Sequence, residues 1–230
     1  MRLVVNGDDL GYTKANTLGI VEAYRSGILR STTALANSDY LAFAANCVQG
    51  CEGLGVGVHL TLTLGAPLTD GATLATAAGQ FPSRRELDAA ALDMDEVRTE
   101  WRAQIERFCK VFGRMPTHID SHHSVHDLTD DLLAVSRGLA KEYGLELRRY
   151  GSFEFVHGFF GPTATSEALI ELLRGHEGHD IEIMTHPGYC DLELYRRSSY
   201  NVDRVRELAA LCDASVLAYV DERGIELSHY

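Results

Sequence analysis

The chain has 230 residues, of which 45% are apolar, and this length and composition are typical of one globular domain with a buried core. Its 33 Asp and Glu residues outnumber 21 Lys and Arg residues, which gives a formal net charge of -12. Binding to nucleic acid or to anionic membranes relies on clustered positive charge, so this balance argues against both. The composition suits a protein that acts on a neutral small molecule.

Five cysteines are scattered along the chain, and an odd number leaves at least one thiol unpaired. Cys47 and Cys51 lie in a predicted helix with no second pair to complete a zinc site, so we interpret them as buried apolar residues. The first residues, MRLVVNGDDLGY, have the pattern of neither a signal peptide nor a membrane-spanning segment. We therefore expect a cytoplasmic protein.

Short β-rich segments alternate with segments of helical periodicity along the chain. The predicted strands are 2–6, 32–36, 54–62, 117–120, 145–149, 180–184 and 224–227. The predicted helices are 13–26, 39–48, 94–112, 128–142, 165–174 and 202–211. This alternation predicts a single α/β domain with a mostly parallel sheet, either open or closed into a barrel. Residues 65–83 are rich in Gly, Pro and Thr without a regular period, and such long loops are typically lids or binding loops.

Acidic and imidazole side chains follow several of the predicted strands, at the sheet edge where parallel α/β proteins place their sites. Asp8 and Asp9 come directly after the first strand. Neighbouring side chains point in different directions, so one carboxylate could bind a metal while the other acts as a base; the alternative is a turn or a helix cap. His59 lies within an apolar β segment, where a hydrogen-bonded core histidine is the competing interpretation.

Four of the ten histidines fall between His118 and His126, around the end of the fourth predicted strand. His122 and His126 are four residues apart, a spacing that places both imidazoles on one face if a helix starts there. Imidazole together with carboxylate suits Zn²⁺ and other divalent metals. A ligating histidine needs its second nitrogen oriented, and Asp120 or His126 could do this. The alternative is a solvated loop rich in histidine.

His186 precedes Pro-Gly at the end of the sixth predicted strand. A metal ligand, a general acid and a plain turn residue are all compatible with that position. An acidic site would raise the pKa of His186 and favour the protonated form that a general acid needs. Arg148 and Arg149 end the fifth strand; one should face inward to orient a carboxylate or bind substrate, and the other should be a solvated surface charge.

The chain contains no G-x-S-x-G, no P-loop and no G-x-G-x-x-G after a strand. The sequence therefore lacks the signatures of serine hydrolases, nucleotide hydrolases and dinucleotide-binding enzymes. Periodicity and spacing by themselves predict an α/β metal-dependent hydrolase and go no further.

Several segments in this order resemble the YdjC-like carbohydrate deacetylase family, which includes chitooligosaccharide deacetylases. They are VVNGDDLGYTKANTLGI, GILRSTTALAN, GVGVHLTLTLGAPL, PTHIDSHHSVH, EIMTHPGYCD, RSSYNVDRVRELAAL and ERGIEL. Together they cover nearly the full length. Two departures concern packing, because NGDDLG stands where the family usually shows an Ala after Asn and a Phe before Gly. In DSHHSVH, Ser124 stands where a further His is frequent.

The resemblance implies a distorted TIM-like (β/α) barrel with mostly parallel strands and a divalent metal, Mg²⁺ or Zn²⁺, bound by Asp9, His59 and His122. It implies that an N-acetyl group is hydrolysed from a glucosamine-containing oligosaccharide. By similarity to the wider polysaccharide deacetylases, Asp8 would be the general base and His186 the general acid. The metal would polarise the acetyl carbonyl and lower the pKa of the attacking water.

Two other functions remain compatible with these residues. The first is a metal-dependent amidase or esterase that acts on a non-sugar, and the second is a sugar-binding protein without catalysis. A homodimer is an expectation from the family, since no segment of the sequence shows an interface directly.

Overall fold

The computed structural model describes residues 1–230, and its strands and helices alternate along most of the chain. The strands are β1 (Arg2–Leu10), β2 (Ser31–Ala34), β3 (Gly55–Leu60), β4 (His118–Ser121), β5 (Glu146–Leu147), β6 (Glu154–Val156), β7 (Ile181–Thr185) and β8 (Glu226–Ser228). The helices are α1 (Lys14–Ser26), α2 (Leu41–Val48), α3 (Met94–Phe112), α4 (Asp130–Tyr143), α5 (Ser166–Gly175), α6 (Leu192–Arg197), α7 (Val202–Leu211) and α8 (Ala214–Glu222). Short 3₁₀ segments lie at Ala89–Ala91, His122–Asp127 and Gly161–Thr163.

All strand pairs are parallel, and β1 lies at the middle of the sheet. The strand order is β5-β4-β3-β2-β1-β7-β6, and the short β8 pairs with the first residues of β1. The edge strands β5 and β6 do not pair with each other, so the curled sheet stays open on one side. Helices surround this single-domain sheet. The predicted α/β class with a distorted TIM-like barrel is confirmed.

The central strand β1 is longer than the sequence predicts. Every residue after Arg2 is buried, and the strand runs through Asn6-Gly7-Asp8-Asp9 to Leu10 instead of ending at residue 6. Polar residues and Gly ordinarily disfavour a strand interior. Here the two carboxylates stay in the strand because arginines from distant segments neutralise them, as described below.

The long helices follow their sequence signals closely. The predicted and observed bounds of α3 agree: Asp93 caps its first turn, and Gly113 ends it in the left-handed conformation at φ 66. Prediction from the sequence missed three short elements, namely β6, α6 and α8. Strand β6 has 3 residues and helix α6 has 6, too few to establish a hydrophobic period. No helix of the chain has the length and hydropathy of a membrane span.

The irregular loop 65–83 is held against α3 by two glutamates. Glu100 accepts hydrogen bonds from the backbone nitrogens of Leu68 and Thr69, and Glu96 accepts them from Ala72 and Thr73. The end of the loop reaches the cleft described below, where Ser83 is part of the lining. Its role as a lid or binding loop stays a prediction.

Helix α1 and the loop after β7 approach each other without side chains between them. A Cβ atom added to Gly19 would lie 2.5 Å from the Cα of Gly188 and 2.5 Å from the backbone nitrogen of Tyr189. This close backbone contact holds the segment that follows β7 against α1, and so it helps to set the position of His186.

We predict that Gly19→Ala lowers the free energy of unfolding by about 1–3 kcal/mol, because the added methyl group would push backbone against backbone. Urea denaturation measures the change. Gly175→Ala is the matched control, since Gly175 ends α5 and a Cβ there meets nothing within 4 Å. The control should be neutral or slightly stabilising. Equal stabilities of both variants and the unchanged protein would contradict the proposed close contact.

Candidate active site

A cleft of about 940 Å³ opens at the carboxyl end of the sheet. It is lined by seven of the side chains predicted from the sequence, namely Asp8, Asp9, His59, Asp120, His122, Arg148 and His186. They lie in strands β1, β3 and β4 or directly after β4, β5 and β7, so the sheet brings them together from positions far apart in the chain. His126 is the one predicted site residue that does not reach the cleft.

Asp9, His59 and His122 present one ligand atom each to a common point. Asp9 Oδ1 lies 3.2 Å from His59 Nε2 and 2.8 Å from His122 Nδ1, and all three ligand atoms lie within 4.8 Å of one another. Metal-to-ligand distances of about 2.0–2.2 Å place the donors around one ion at such separations. Two imidazoles and a carboxylate are also a common ligand set for a divalent ion, so these residues fit the predicted metal.

Asp9 has a backbone and a side chain that are both constrained. Its φ of 72° lies in the left-handed region, which Asp adopts more readily than most residues. The Oδ2 atom accepts a hydrogen bond from Arg204 Nη2 at 2.7 Å, so only Oδ1 faces the two histidines. Burial alone would raise the pKa of Asp9, but His122 and Arg204 outweigh it and hold that pKa well below the usual range.

Asp120 orients His59 from the opposite side of the ring. Its Oδ2 atom lies 3.1 Å from His59 Nδ1, which leaves His59 Nε2 directed at Asp9. Burial lowers the pKa of His59, but Asp120, Asp9 and Asp8 outweigh it and raise the pKa to about 10. A residue that looked like a core histidine in the sequence is therefore surrounded by negative charge, an environment that attracts a cation.

Residues 122–127 do not form the regular helix that would place His122 and His126 on one face. His123 and Ser124 adopt left-handed conformations at φ 57 and φ 53, which breaks the helical path between them. His126 is fully buried behind the site, with Nδ1 2.6 Å from Ser121 Oγ. The structure does not bring His126 to the candidate metal ligands; its role behind them or toward substrate stays a prediction.

Arg148 is the buried arginine of the expected inward and outward pair. Its Nη1 atom donates to Asp8 Oδ1 at 2.6 Å and to Asp120 Oδ2 at 2.7 Å, and its Nε atom donates to Glu182. The second arginine of the pair, Arg149, is not the solvated surface charge that the sequence predicts: it is half-buried, forms an ion pair with Asp127 at 3.2 Å and lines the cleft. The left-handed φ of 68° at Arg149 turns its side chain back toward the protein.

Asp8 has one oxygen held and one free. Oδ1 accepts hydrogen bonds from Arg148 and, at 2.7 Å, from Asn6 Nδ2. Oδ2 makes no hydrogen bond and lies 3.9 Å from His186 Nε2. Burial raises the pKa of Asp8 to about 6, although Arg148 opposes the shift. A carboxylate with a free oxygen and a raised pKa is suited to accept a proton.

His186 lies beside Asp8, yet its ionisation differs from the expectation. Burial and, to a smaller extent, the cation of Arg204 lower the pKa of His186 to about 3. The predicted rise is wrong, because burial and Arg204 outweigh the carboxylate of Asp9, which by itself would raise the pKa of His186. Its backbone nitrogen donates to Glu207, and its ring contacts Phe160 and Tyr200 edge to face at 5.6 and 5.2 Å between centroids.

Arg204 and Glu207 belong to the site but were missed in the sequence. Both are buried on the face of α7 that also buries Leu208 and Leu211. Two charged residues on the apolar face of an amphipathic helix are a readable signal, because buried charges need a partner elsewhere. The sequence indicates that these charges need partners but does not identify them. In the structure, Arg204 binds Asp9, and Glu207 accepts a hydrogen bond from the backbone nitrogen of His186.

The sequence model of the YdjC-like protein family matches residues 2–222 of the chain. The chain belongs to the YdjC-like family. A carbohydrate deacetylase of Geobacillus stearothermophilus is 39% identical over 99% of the chain and 96% of its own length. A carbohydrate deacetylase of Clostridium beijerinckii is 36% identical over 100% and 99%. A chitooligosaccharide deacetylase of Escherichia fergusonii is 36% identical over 99% and 97%.

Solved structures place the family among known folds. A crystal structure from Enterococcus faecalis, provisionally assigned to cellobiose-phosphate cleavage, superposes with a TM-score of 0.93 at 35% identity over 100% of this chain and 97% of that one. A family 4 carbohydrate esterase from Streptomyces lividans, bound to acetate, superposes with a TM-score of 0.57 at 15% identity over 100% and 92%. At that identity the second likeness shows a shared fold and nothing more.

We predict that Arg204→Met weakens the binding of Zn²⁺ by about 10–100-fold, because Asp9 would no longer be held with one oxygen toward the histidines. Calorimetric titration of the metal-free protein measures the affinity. Arg206→Met, on the same helix but exposed and paired only with Asp203, should bind Zn²⁺ as the unchanged protein does. An unaltered affinity in folded Arg204→Met would rule out this role for Arg204.

Proposed function

We propose that the protein is a metal-dependent hydrolase that removes the N-acetyl group from glucosamine-containing oligosaccharides. The observation that carries the proposal is the convergence in one cleft of three candidate metal ligands with a free carboxylate oxygen on Asp8 and the ring of His186. Curated relatives named carbohydrate deacetylase and chitooligosaccharide deacetylase, aligned over nearly the whole chain, support the sugar substrate.

Asp9, His59 and His122 would hold the metal, which we propose to be Mg²⁺ or Zn²⁺. A divalent ion supplies Lewis acidity, which polarises a carbonyl and lowers the pKa of a bound water. A ligand set with two imidazoles suits Zn²⁺ better than Mg²⁺, which prefers oxygen ligands. Asp120 and Arg204 then hold His59 and Asp9 in position.

Asp8 is proposed as the general base. Arg148 and Asn6 fix its Oδ1 atom, so the free Oδ2 atom points to a single place beside the metal ligands. A pKa of about 6 leaves Asp8 ionised at neutral pH while keeping it basic enough to take a proton from water.

His186 is proposed as the general acid that protonates the departing amine. Because burial and Arg204 depress its pKa, the ring is neutral in the resting site and must first receive a proton. The nearest group that gains one is Asp8, whose Oδ2 atom lies 3.9 Å from His186 Nε2. The proton taken from water would therefore pass from Asp8 through His186 to the amine.

Two alternatives predict different substrates. An amidase or esterase for non-sugars would release acetate from simple acetamides or acetate esters as readily as from diacetylchitobiose. A sugar-binding protein would bind the sugar and release no acetate with any divalent metal. The decisive assay incubates metal-loaded protein with N-acetylglucosamine oligomers and measures free acetate and new amines. The cytoplasmic location, the homodimer and the lid role of 65–83 stay predictions.

We predict that Asp8→Asn lowers kcat by about 10²–10⁴-fold while the metal stays bound, because the amide keeps the shape of the carboxylate but cannot accept the proton. Acetate release and metal content by atomic absorption are measured on the same sample. Full activity of Asp8→Asn would disprove the role of Asp8 as base.

His59→Ala should lose the metal as well as the activity, since it removes one of three ligands from a buried acidic site. Metal content after gel filtration separates it from Asp8→Asn. A thermal unfolding curve taken without metal shows whether the variant is folded. Metal retained at full occupancy in folded His59→Ala would exclude His59 as a ligand.

A further inference from the structure

Phe160 presents an aromatic ring to the cleft. It precedes the short turn Gly161–Thr163, between β6 and α5, and 49% of it is exposed. The same cleft contains Asp8 and His186. Most other large apolar side chains are buried, so this ring keeps an apolar surface free at the place where a substrate would enter.

A second aromatic residue holds Phe160 in place. The rings of Phe160 and Tyr200 are stacked, with centroids 4.5 Å apart and planes inclined by 18°. The Tyr200 hydroxyl accepts a hydrogen bond from the backbone nitrogen of Gly161 at 2.6 Å and donates to Glu207. The stack is therefore fixed at both ends, by the segment that bears Phe160 and by helix α7.

The carboxylate of Glu207 connects the stacked rings of Phe160 and Tyr200 to His186. Glu207 accepts hydrogen bonds from the Tyr200 hydroxyl and from the backbone nitrogen of His186. The Phe160 ring contacts the His186 ring edge to face, with centroids 5.6 Å apart. A ligand group that packs on Phe160 is therefore the immediate neighbour of a group that reacts between His186 and Asp8.

The chemistry of this position favours a flat ring with one apolar face and polar edges. A glucosamine pyranose ring shows axial C–H groups on its faces and polar substituents around its rim. Aromatic side chains give such a face a large contact area at low cost in conformational entropy. A small acetamide or acetate ester, in contrast, would occupy the metal end of the cleft without reaching Phe160.

We propose that Phe160, braced by Tyr200, is the surface on which the pyranose ring that carries the acetamide packs. Phe160 is then a specificity-determining residue that favours sugars over small acetyl compounds. The proposal rests on the proposed deacetylase function, because it assumes that the acetamide lies between Asp8 and His186.

The test compares Phe160→Ala and Phe160→Leu with the unchanged metal-loaded protein on two substrates, diacetylchitobiose and ethyl acetate, whose leaving group is too small to reach Phe160. Phe160→Ala should lower kcat/KM for the sugar at least about tenfold, mainly through KM, and should lower the ester rate by a much smaller factor. Phe160→Leu keeps apolar volume without a flat face and should lie between the two. Leu192→Ala, exposed on α6 and outside the cleft, is the control that should change neither rate.

Sugar binding without turnover separates this inference from the proposed function. Calorimetry of diacetylchitobiose is carried out on Asp8→Asn and on the double variant with Phe160→Ala, and the second should bind at least about tenfold more weakly. This result supports the packing of the sugar on Phe160 even if no variant releases acetate from the sugar, in which case the deacetylase function alone fails. Unchanged sugar binding, or equal losses of activity on the sugar and the ester, would overturn the proposed packing of the sugar on Phe160.

Discussion

The candidate site and the sheet interior beneath it depend on the pairing of buried carboxylates with two buried arginines. Asp8, Asp9, Asp120 and Glu182 are each at most 3% exposed. An unpaired carboxylate in such a place would cost several kcal/mol, and removal of one partner from a buried pair costs about 3–5 kcal/mol. Arg148 joins carboxylates on β1, β4 and β7, so the same ion pairs that neutralise the site also connect strands across the sheet.

These pairs also give two adjacent aspartates different surroundings. Arg148 takes one oxygen of Asp8, and Arg204 takes one oxygen of Asp9. The remaining oxygen of Asp9 faces the histidines, and the remaining oxygen of Asp8 faces His186. The left-handed backbone at Asp9 sends the two side chains in different directions. The proposed roles of ligand for Asp9 and base for Asp8 depend on this difference, because a different arginine binds one oxygen of each carboxylate.

Local signals in the sequence were enough for six of the eight helices and for the parallel class of the sheet. The caps and period of α3 determine its bounds, and alternation of strands with helices determines the class of fold. The end of β1 could not be predicted, because Asp8 and Asp9 by themselves favour a turn. Their partners Arg148 and Arg204, which allow both carboxylates to stay in the strand, lie far along the chain. His59 posed a similar problem: its neighbours in sequence are apolar, and its partner Asp120 lies on another strand.

His186 shows why counting charges in a predicted site is a poor guide to its electrostatics. Several acidic residues near one histidine suggested a raised pKa, which would make His186 a ready proton donor. In the folded protein burial and the cation of Arg204 both lower the pKa of His186, and together they outweigh the carboxylate of Asp9, which raises it. A general acid in this position needs a proton delivered during the reaction. That requirement makes the short separation of His186 from Asp8 a part of the proposed chemistry, since the base and the acid then handle the same proton in turn.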